Sequence, residues 1–284
     1  MPATNEAAHH WVARLQEFAF DHLTRSPVLR EALGGAAVLL HGSTTLGIDD
    51  DAADLDVWIL TTPETLATFD ASAPTRLIEF EIDARPGHFT LESKDDFAAR
   101  IRACDLQLIS ELRPARIVYD PDEWAAGILR VARRPMNAQV RLAWFRHHYI
   151  EMRSEHRAAG DAVERGDALA LLQSATAALT HALRAALVLD GEPYPCATWL
   201  ARAAAATPTG AQVVALAEDV VDLLGTGALR AAGERRAHPL SLKLREVRRV
   251  LIDAARAAGI DGVWLDHWPM HLAESRAGVR EVAW

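Results

Sequence analysis

The sequence predicts an α+β fold in which a mixed sheet with helices is followed by an all-helical region. Each strand pattern, whether a short apolar run or a period-two alternation, lies before residue 120. From Pro135 onward, apolar residues recur only at helical spacing. Half of the 284 residues are hydrophobic, which is enough for a sizeable core. We therefore predict two domains, residues 1–130 and residues 131–284.

The first domain is predicted to begin with a helix and to continue with short strands. Asn5–Leu33 repeats apolar residues at three- and four-residue steps and ends at a Gly-Gly pair. Ala36–Leu40 is an apolar run long enough for a buried strand, and Leu55–Leu60 marks a second strand. Pro63 suits the first turn of a helix. The remaining predicted elements are a strand over Arg76–Arg85, a helix over Lys94–Leu112 and a short strand over Arg116–Tyr119.

The second domain is predicted to be a bundle of helices. Two long helices cover Asn137–Gly166 and Asp167–Asp190, and the segment Gly191–Pro195 breaks the pattern after them. Further helices are predicted over residues 197–206, 209–224, 239–258 and 265–276. Because strand patterns vanish here, we expect this region to be all-helical.

Composition excludes several classes of protein and partner. The formal net charge is −9, which suits a long polyanionic backbone poorly, so we expect no nucleic-acid partner. The two cysteines, Cys104 and Cys196, have no metal-type spacing and cannot form a disulfide framework, which favours a reducing, cytoplasmic setting. The most apolar late stretch, Ala168–Leu189, contains charged and polar residues and predicts a buried helix, not a membrane span.

The strongest chemical signal is a glycine turn followed by two spaced carboxylates. Gly42-Ser43 follows the first strand, where backbone N–H groups and a hydroxyl can hold phosphate oxygens that approach an unhindered glycine. Ten residues later come Asp54 and Asp56, which point to one face of a strand. Two carboxylates on one face can share Mg²⁺ ions, which prefer oxygen ligands together with substrate phosphates. The pattern therefore predicts a two-metal phosphoryl-transfer site.

A third carboxylate on a neighbouring strand would complete this site. The strand over Arg76–Arg85 offers Glu79, Glu81 and Asp83 on one face. We predict Glu81, at the middle of the strand, with Asp83 as the close alternative. A row of acids is also normal on the exposed face of a strand, and spacing alone does not decide between the three.

Gly42-Ser43, the ten-residue gap and Asp54-Leu55-Asp56 together resemble the signature of the DNA polymerase β-like nucleotidyltransferase superfamily. The resemblance covers Ala36–Arg116 and implies a mixed-sheet catalytic domain that uses a nucleoside triphosphate and Mg²⁺. It implies that Asp54 and Asp56 bind Mg²⁺, and that the third carboxylate, predicted to be Glu81 with Asp83 as the alternative, either ligates the catalytic metal or takes a proton from the acceptor hydroxyl. Gly42 and Ser43 would then hold the triphosphate, and pyrophosphate would leave.

The helical second half resembles the small-molecule branch of that superfamily, which includes the kanamycin and lincosamide nucleotidyltransferases. There a helical bundle follows the catalytic domain and helps to form the acceptor pocket; Gly191–Pro195, followed by Trp199, is similar to a segment of that bundle. The resemblance implies transfer of AMP from ATP to a small-molecule hydroxyl, with aminoglycoside-type antibiotics, and hence antibiotic resistance, as one acceptor class. Lys243 is a candidate contact for the triphosphate, although a solvated helix position is the simpler interpretation.

Two alternatives stay open at this point. One is nucleotidylation of a protein or an RNA, in a toxin–antitoxin-like or regulatory role; the net charge of −9 argues against RNA. The other is a non-catalytic relative that only binds a nucleotide, against which the intact Asp54 and Asp56 pair argues. A monomer and a homodimer are both compatible with the sequence.

Overall fold

The computed structural model describes residues 3–23, 30, 33–47, 53–72, 75–227 and 234–284. These form two compact units, one reaching Arg134 and including Trp284, the other spanning Pro135–Ala283. The sequence placed this division between residues 130 and 131. A mixed sheet in the first unit and helices in the second confirm the predicted α+β fold class.

The first unit is built on a five-stranded sheet with the order β3-β4-β2-β1-β5. Its elements are α1 (Ala3–Leu23), β1 (Ala37–His41), α2 (Ser43–Leu46), β2 (Leu55–Thr61), α3 (Pro63–Ser72), β3 (Leu77–Ile82), β4 (Arg85–Ser93), α4 (Lys94–Arg102), α5 (Leu106–Leu112), β5 (Arg116–Tyr119) and α6 (Trp124–Ala132). β2 and β4 are parallel, and the other neighbours are antiparallel. A parallel pair needs a crossover, and α3 with β3 makes the connection.

Strand alternation decides which side chains enter the core of this sheet. Leu55, Val57 and Ile59 of β2 belong to the buried apolar cluster, which also contains Leu15 of α1. Because successive strand residues point to opposite faces, Asp56 lies on the face away from this cluster. The same alternation that builds the core therefore keeps the carboxylate out of it.

The predicted strand over Arg76–Arg85 is wrong only at its end, after Ile82. β3 ends at Ile82, and Asp83 and Ala84 form a turn in which both residues have positive φ, 53° and 64°. Turns of this kind join the strands of tight hairpins. The chain therefore reverses and returns as β4, Arg85–Ser93, a strand that the sequence analysis did not predict.

The predicted helix over Lys94–Leu112 is two helices. Cys104 adopts a φ of 62°, which a helix does not tolerate, and the backbone leaves the helical path there. The carboxylate of Asp105 then accepts a hydrogen bond from the backbone N–H of Leu108 at 3.1 Å and caps α5.

Helices, and no strands, make up the regular secondary structure of the described part of the second unit. Its α-helices are α7 (Ala138–Arg165), α8 (Ala168–Leu189), α9 (Ala197–Ala205), α10 (Pro208–Gly225), α11 (Pro239–Ala257) and α12 (Leu272–Glu281). Asn137 caps α7 by accepting from the N–H of Val140, and Gly166 ends it with a φ of 66°. The predicted long helices are thus confirmed at both ends. None of the described helices is long and apolar enough to span a bilayer.

The predicted helix over residues 265–276 is only partly right. Val263–Leu265 and Trp268–His271 are short 3₁₀ turns, and α12 begins at Leu272. Pro269 has no N–H to donate to a preceding carbonyl, which explains why a continuous helix does not form across this segment.

Candidate metal centre

The turn at Gly42 brings the end of β1 against the start of β2. His41, the last residue of β1, pairs with Asp56 across the antiparallel ladder. Gly42 has φ 77° and ψ −158°, a backbone region populated almost only by glycine. A Cβ built on Gly42 would lie 2.9 Å from Cγ of Asp56 and closer still to Oδ2. The absent side chain of Gly42 therefore provides the space that the Asp56 carboxylate fills.

Asp54 and Asp56 converge with a histidine that the sequence analysis did not consider. The parallel pairing of β2 and β4 places His88 in register with Asp56. His88 Nε2 lies 3.0 Å from Oδ1 of Asp56, and His88 Nδ1 lies 3.2 Å from Oδ2 of Asp54. One ligand atom from each residue lies within 4.8 Å of the others. Two carboxylates and one imidazole at this spacing form a donor set that fits a divalent cation.

The surroundings of the Asp56 carboxylate disfavour its ionised form. Burial raises the pKa of Asp56, and the negative charges of Asp54 and Glu111 raise it further, whereas His41 and His88 act in the opposite direction. A raised carboxyl pKa means that the surroundings disfavour the anion. A cation bound between the two aspartates would remove this cost, which is a further observation in favour of a metal at this position.

Buried aromatic side chains pack around His41, the residue that pairs with Asp56. His41 is 8% exposed and stacks on Trp58, with ring centroids 3.4 Å apart and an interplanar angle of 7°. Trp58 in turn packs edge-on against Phe97. His41 Nδ1 lies 3.5 Å from Glu111 Oε2. His41, the residue opposite Asp56, is thereby held by stacking on one ring face and by the contact of Nδ1 with Glu111, so the ladder at this end of β2 has little freedom to shift.

Arg85 forms hydrogen bonds to both parts of the sequence motif, the segment after Gly42 and the residue before Asp54. Its Nε donates to the carbonyl oxygen of Ala53 at 3.1 Å, and its Nη2 donates to Thr44 Oγ1 at 2.9 Å. Thr44 follows the glycine turn, and Ala53 immediately precedes Asp54. The guanidinium also lies 5.1 Å from the ring centroid of Trp11. Arg85 thus fixes the segment that enters β2 relative to the turn after β1.

The structure does not bring the predicted third carboxylates to the two aspartates. Glu81 is exposed and pairs with Pro86 on β4, so one whole strand separates it from β2. Asp83 lies in the hairpin turn and forms an ion pair with Arg14 at 2.9 Å, whose hydrogen bonds lower the pKa of Asp83. Glu79 is exposed and lies opposite His88 in the register.

The residues predicted to contact phosphate lie in different units of the chain. Ser43 is the first residue of α2 and is only 3% exposed. Lys243 belongs to the second unit, where its ammonium lies 3.0 Å from both Asp219 and Glu246. The roles predicted for Gly42, Ser43 and Lys243 in nucleotide binding stay predictions.

The two contributors that sequence reasoning missed, Arg85 and His88, both lie on β4. A signal for this strand was present, because apolar Phe89 and Leu91 alternate with polar residues from His88 to Glu92. The parallel pairing with β2 could not be read from it, since strand order is a property of the folded sheet. His88 was therefore invisible as a neighbour of Asp56.

Comparison with known proteins finds a distant structural likeness. No protein-family model matches the sequence, and no curated protein is significantly similar to it. A crystal structure of a nucleotidyltransferase-like protein from Exiguobacterium sibiricum 255-15 aligns with 84% of this chain and 77% of its own. The TM-score is 0.49 and the sequence identity 13%. This degree of likeness does not by itself assign the chain a family or an activity.

Proposed function

We propose that this chain is a divalent-metal-dependent nucleotidyltransferase, which moves a nucleoside monophosphate from a nucleoside triphosphate to a hydroxyl group of a small molecule. The observation that carries the proposal is the convergence of Asp54, Asp56 and His88 beside the turn at Gly42. The sequence motif and the spatial arrangement agree, because the same turn that precedes the carboxylates in the chain makes room for one of them. The proposed donor is ATP.

Asp54, Asp56 and His88 would hold the cation, which when bound supplies charge neutralisation to the triphosphate and to the departing pyrophosphate. Mg²⁺ is the ion implied by the resemblance, and it prefers oxygen ligands. An imidazole ligand favours transition ions, so this donor set also suits Mn²⁺ or Zn²⁺. A two-ion arrangement would need oxygens from the triphosphate in addition to these three side chains.

The acceptor is proposed to be a small molecule that binds to the helical second unit. Aminoglycosides and lincosamides are the first classes to test, because the small-molecule branch that the sequence resembles acts on them. A net charge of −9 attracts cationic acceptors in general, which supports placing aminoglycosides first. A role in antibiotic resistance would follow from such an acceptor, and a cytoplasmic location would suit it.

Mass spectrometry of reaction products tests this proposal. The protein is incubated with the four ribonucleoside triphosphates, either Mg²⁺ or Mn²⁺, and the acceptor panel, beside Asp56→Asn and Glu81→Gln. Asp122→Asn, which removes an exposed carboxylate elsewhere in the same unit, is the matched control. We expect one acceptor to gain a nucleoside monophosphate with the wild type, the control and Glu81→Gln, and to remain unmodified with Asp56→Asn.

Other outcomes separate the alternatives. A mass gain on the protein itself, or on added RNA, would move the proposal to nucleotidylation of a macromolecule. Product formation that survives Asp56→Asn would contradict the assignment of this metal centre. Complete loss with Glu81→Gln would restore Glu81 as a catalytic carboxylate.

A second candidate function is a nucleotide-binding regulator without turnover. The observation that favours it is His88, which occupies the position beside Asp56 where the resemblance leads us to expect a carboxylate, and which lies within ion-pair distance of both aspartates. Triphosphate binding without product in the wild type, together with turnover in His88→Asp, would establish this function. Turnover by the wild type would exclude it.

A further inference from the structure

The second unit contains a cavity of about 920 Å³ whose wall is dominated by guanidinium groups. Small-molecule sites typically measure ~300–1,000 Å³, so this cavity can hold an organic ligand. Two glutamates face six arginines around it, in a chain whose net charge is −9. The arginines are Arg153, Arg157, Arg235, Arg236, Arg245 and Arg248.

Two of these arginines are positioned by neutral partners. Arg153 donates to the carbonyl oxygen of Leu265 at 3.0 Å. Arg245 donates to the carbonyl oxygens of Arg235 and Arg236 at 3.2 Å and 2.7 Å. Main-chain carbonyls fix the direction of a guanidinium without cancelling its charge. Both groups are therefore oriented and remain available to an anion.

The remaining arginines have few carboxylate partners that would neutralise their charge. Arg235 crosses the surface of Gly160, where a Cβ would lie 2.5 Å from its Cδ, and its Nη1 lies 3.3 Å from Asp161. Within the described parts of the chain, neither Arg157 nor Arg248 forms an ion pair with a carboxylate. Like charges around one cavity repel each other, and a bound anion would reduce this repulsion.

The positive charges around the cavity affect the pKa of His156. It is buried at the cavity wall, and burial, together with the charges of Arg153, Arg235 and Arg248, lowers the pKa of His156 to about 4. The imidazole is therefore neutral near pH 7. It offers the cavity a hydrogen-bonding group without adding to the charge.

We propose that this cavity binds a small molecule carrying at least two phosphate groups. Guanidinium forks match phosphate oxygens in pairs, which a set of arginines exploits better than lysines would. Trp268 and Pro269 supply an apolar wall for the organic part of such a ligand. The inference rests on the second unit alone and holds whether or not the proposed nucleotidyl transfer is correct.

Titration calorimetry in EDTA tests this site without any contribution from a metal centre. The ligands are inorganic tripolyphosphate and ATP, and the variants are Arg157→Gln and Arg248→Gln. Arg256→Gln is the matched control, because Arg256 lies on the same helix as Arg248 but outside the cavity. We expect each cavity variant to weaken tripolyphosphate binding at least tenfold and the control to leave it unchanged. Asp56→Asn should also bind normally.

Urea unfolding of the same variants distinguishes a binding role from a structural one. Removing an uncompensated charge relieves repulsion, so we expect the ligand-free cavity variants to be as stable as the wild type or more stable. A cavity variant that is clearly less stable than Arg256→Gln would indicate that the arginine holds the fold, and would overturn its assignment as a ligand contact.

Three outcomes would overturn the proposal: no binding of either phosphate compound at millimolar concentration, equal binding by wild type and both cavity variants, or loss of binding in Asp56→Asn alone. Tighter binding of a single-stranded RNA oligonucleotide than of tripolyphosphate would overturn the assignment to a small molecule. Two results would support it and name the source of the phosphates. A raised KM for the triphosphate donor in the cavity variants identifies the donor, and an unchanged KM identifies a second phosphorylated molecule.

Discussion

Replacing Gly42 by alanine tests whether the glycine turn and the metal centre are one structure. The backbone at φ 77° and ψ −158° costs a non-glycine residue about 1–3 kcal/mol. The new Cβ would also lie 2.9 Å from Cγ of Asp56, whereas non-bonded carbons prefer ~3.5–4.0 Å. Either the turn or the carboxylate must therefore move by up to ~1 Å. Displacements of ~1 Å at reacting groups can reduce rates about 100-fold.

Two measurements and two controls separate these effects. Urea unfolding reports the strain, and Mn²⁺ titration by electron paramagnetic resonance reports the carboxylate position without needing a known acceptor. Gly191→Ala also places a side chain at a positive φ, 83°, but with nothing within 4 Å of the new Cβ, so it tests a positive-φ substitution without the contact. Gly35→Ala has neither strain nor contact and should behave as the wild type.

We expect Gly42→Ala to lose about 1–3 kcal/mol of unfolding free energy and, unlike Gly191→Ala, to lose most of its Mn²⁺ affinity. Where an assay of product formation exists, its rate should fall about 100-fold. If Gly42→Ala destabilises the protein but binds Mn²⁺ as tightly as Gly191→Ala does, the carboxylate does not depend on the space beside Gly42. In that case the glycine serves only the backbone turn.

Three further predictions concern His88, the buried histidines and Tyr149. His88→Asp should raise the ratio of Mg²⁺ to Zn²⁺ affinity about tenfold in competition titrations, because it replaces imidazole by oxygen; an unchanged ratio would remove His88 from the ligand set. Burial lowers the pKa of His156 and of His181 to about 4, whereas a histidine of the unfolded chain has a pKa of ~6.5. The unfolded chain therefore binds more protons below pH 6.5, and each histidine lowers the free energy of unfolding by up to about 3 kcal/mol as the pH falls to 4. Urea midpoints that stay level between pH 7 and 4.5 would contradict this. Tyr149→Phe should cost about 1 kcal/mol, because the buried hydroxyl donates to Leu265 at 2.7 Å, and an unchanged urea midpoint would show that another donor replaces it.

Local patterns predicted much of what positions the metal centre. The apolar run before Gly42 and the alternation after Asp54 each depend on residues adjacent in sequence, and both became strands. The helix caps at Asn137 and Gly166 were visible for the same reason. Even so, sequence reasoning assigned Gly42 only a role toward phosphate, and the structure adds a second reason for glycine, which is the position of Asp56.

The third candidate ligand, His88, could not be predicted, because its position beside Asp56 depends on strand order. An Asp-Ala turn is not the Asn-Gly or Asp-Gly pair that usually marks a tight hairpin, so the reversal after Ile82 left little trace in the sequence. Glu81 was favoured on the assumption that its strand lies beside β2. In the folded sheet β4 takes that place, and its residue in register with Asp56 is His88.

Net charge and local charge favour different ligands in this protein, because the charges are segregated. The overall value of −9 favours cationic acceptors, yet the second unit encloses a cavity where six arginines face two glutamates. Coulomb interactions between exposed charges are screened beyond about 8 Å at physiological ionic strength, so a bound ligand responds mainly to the residues around it and not to the chain average. If the acceptor binds in this cavity, it carries phosphate and the aminoglycoside panel will give no product from an active enzyme. Phosphorylated acceptors therefore belong in the first panel, where a product found only among them would support both proposals.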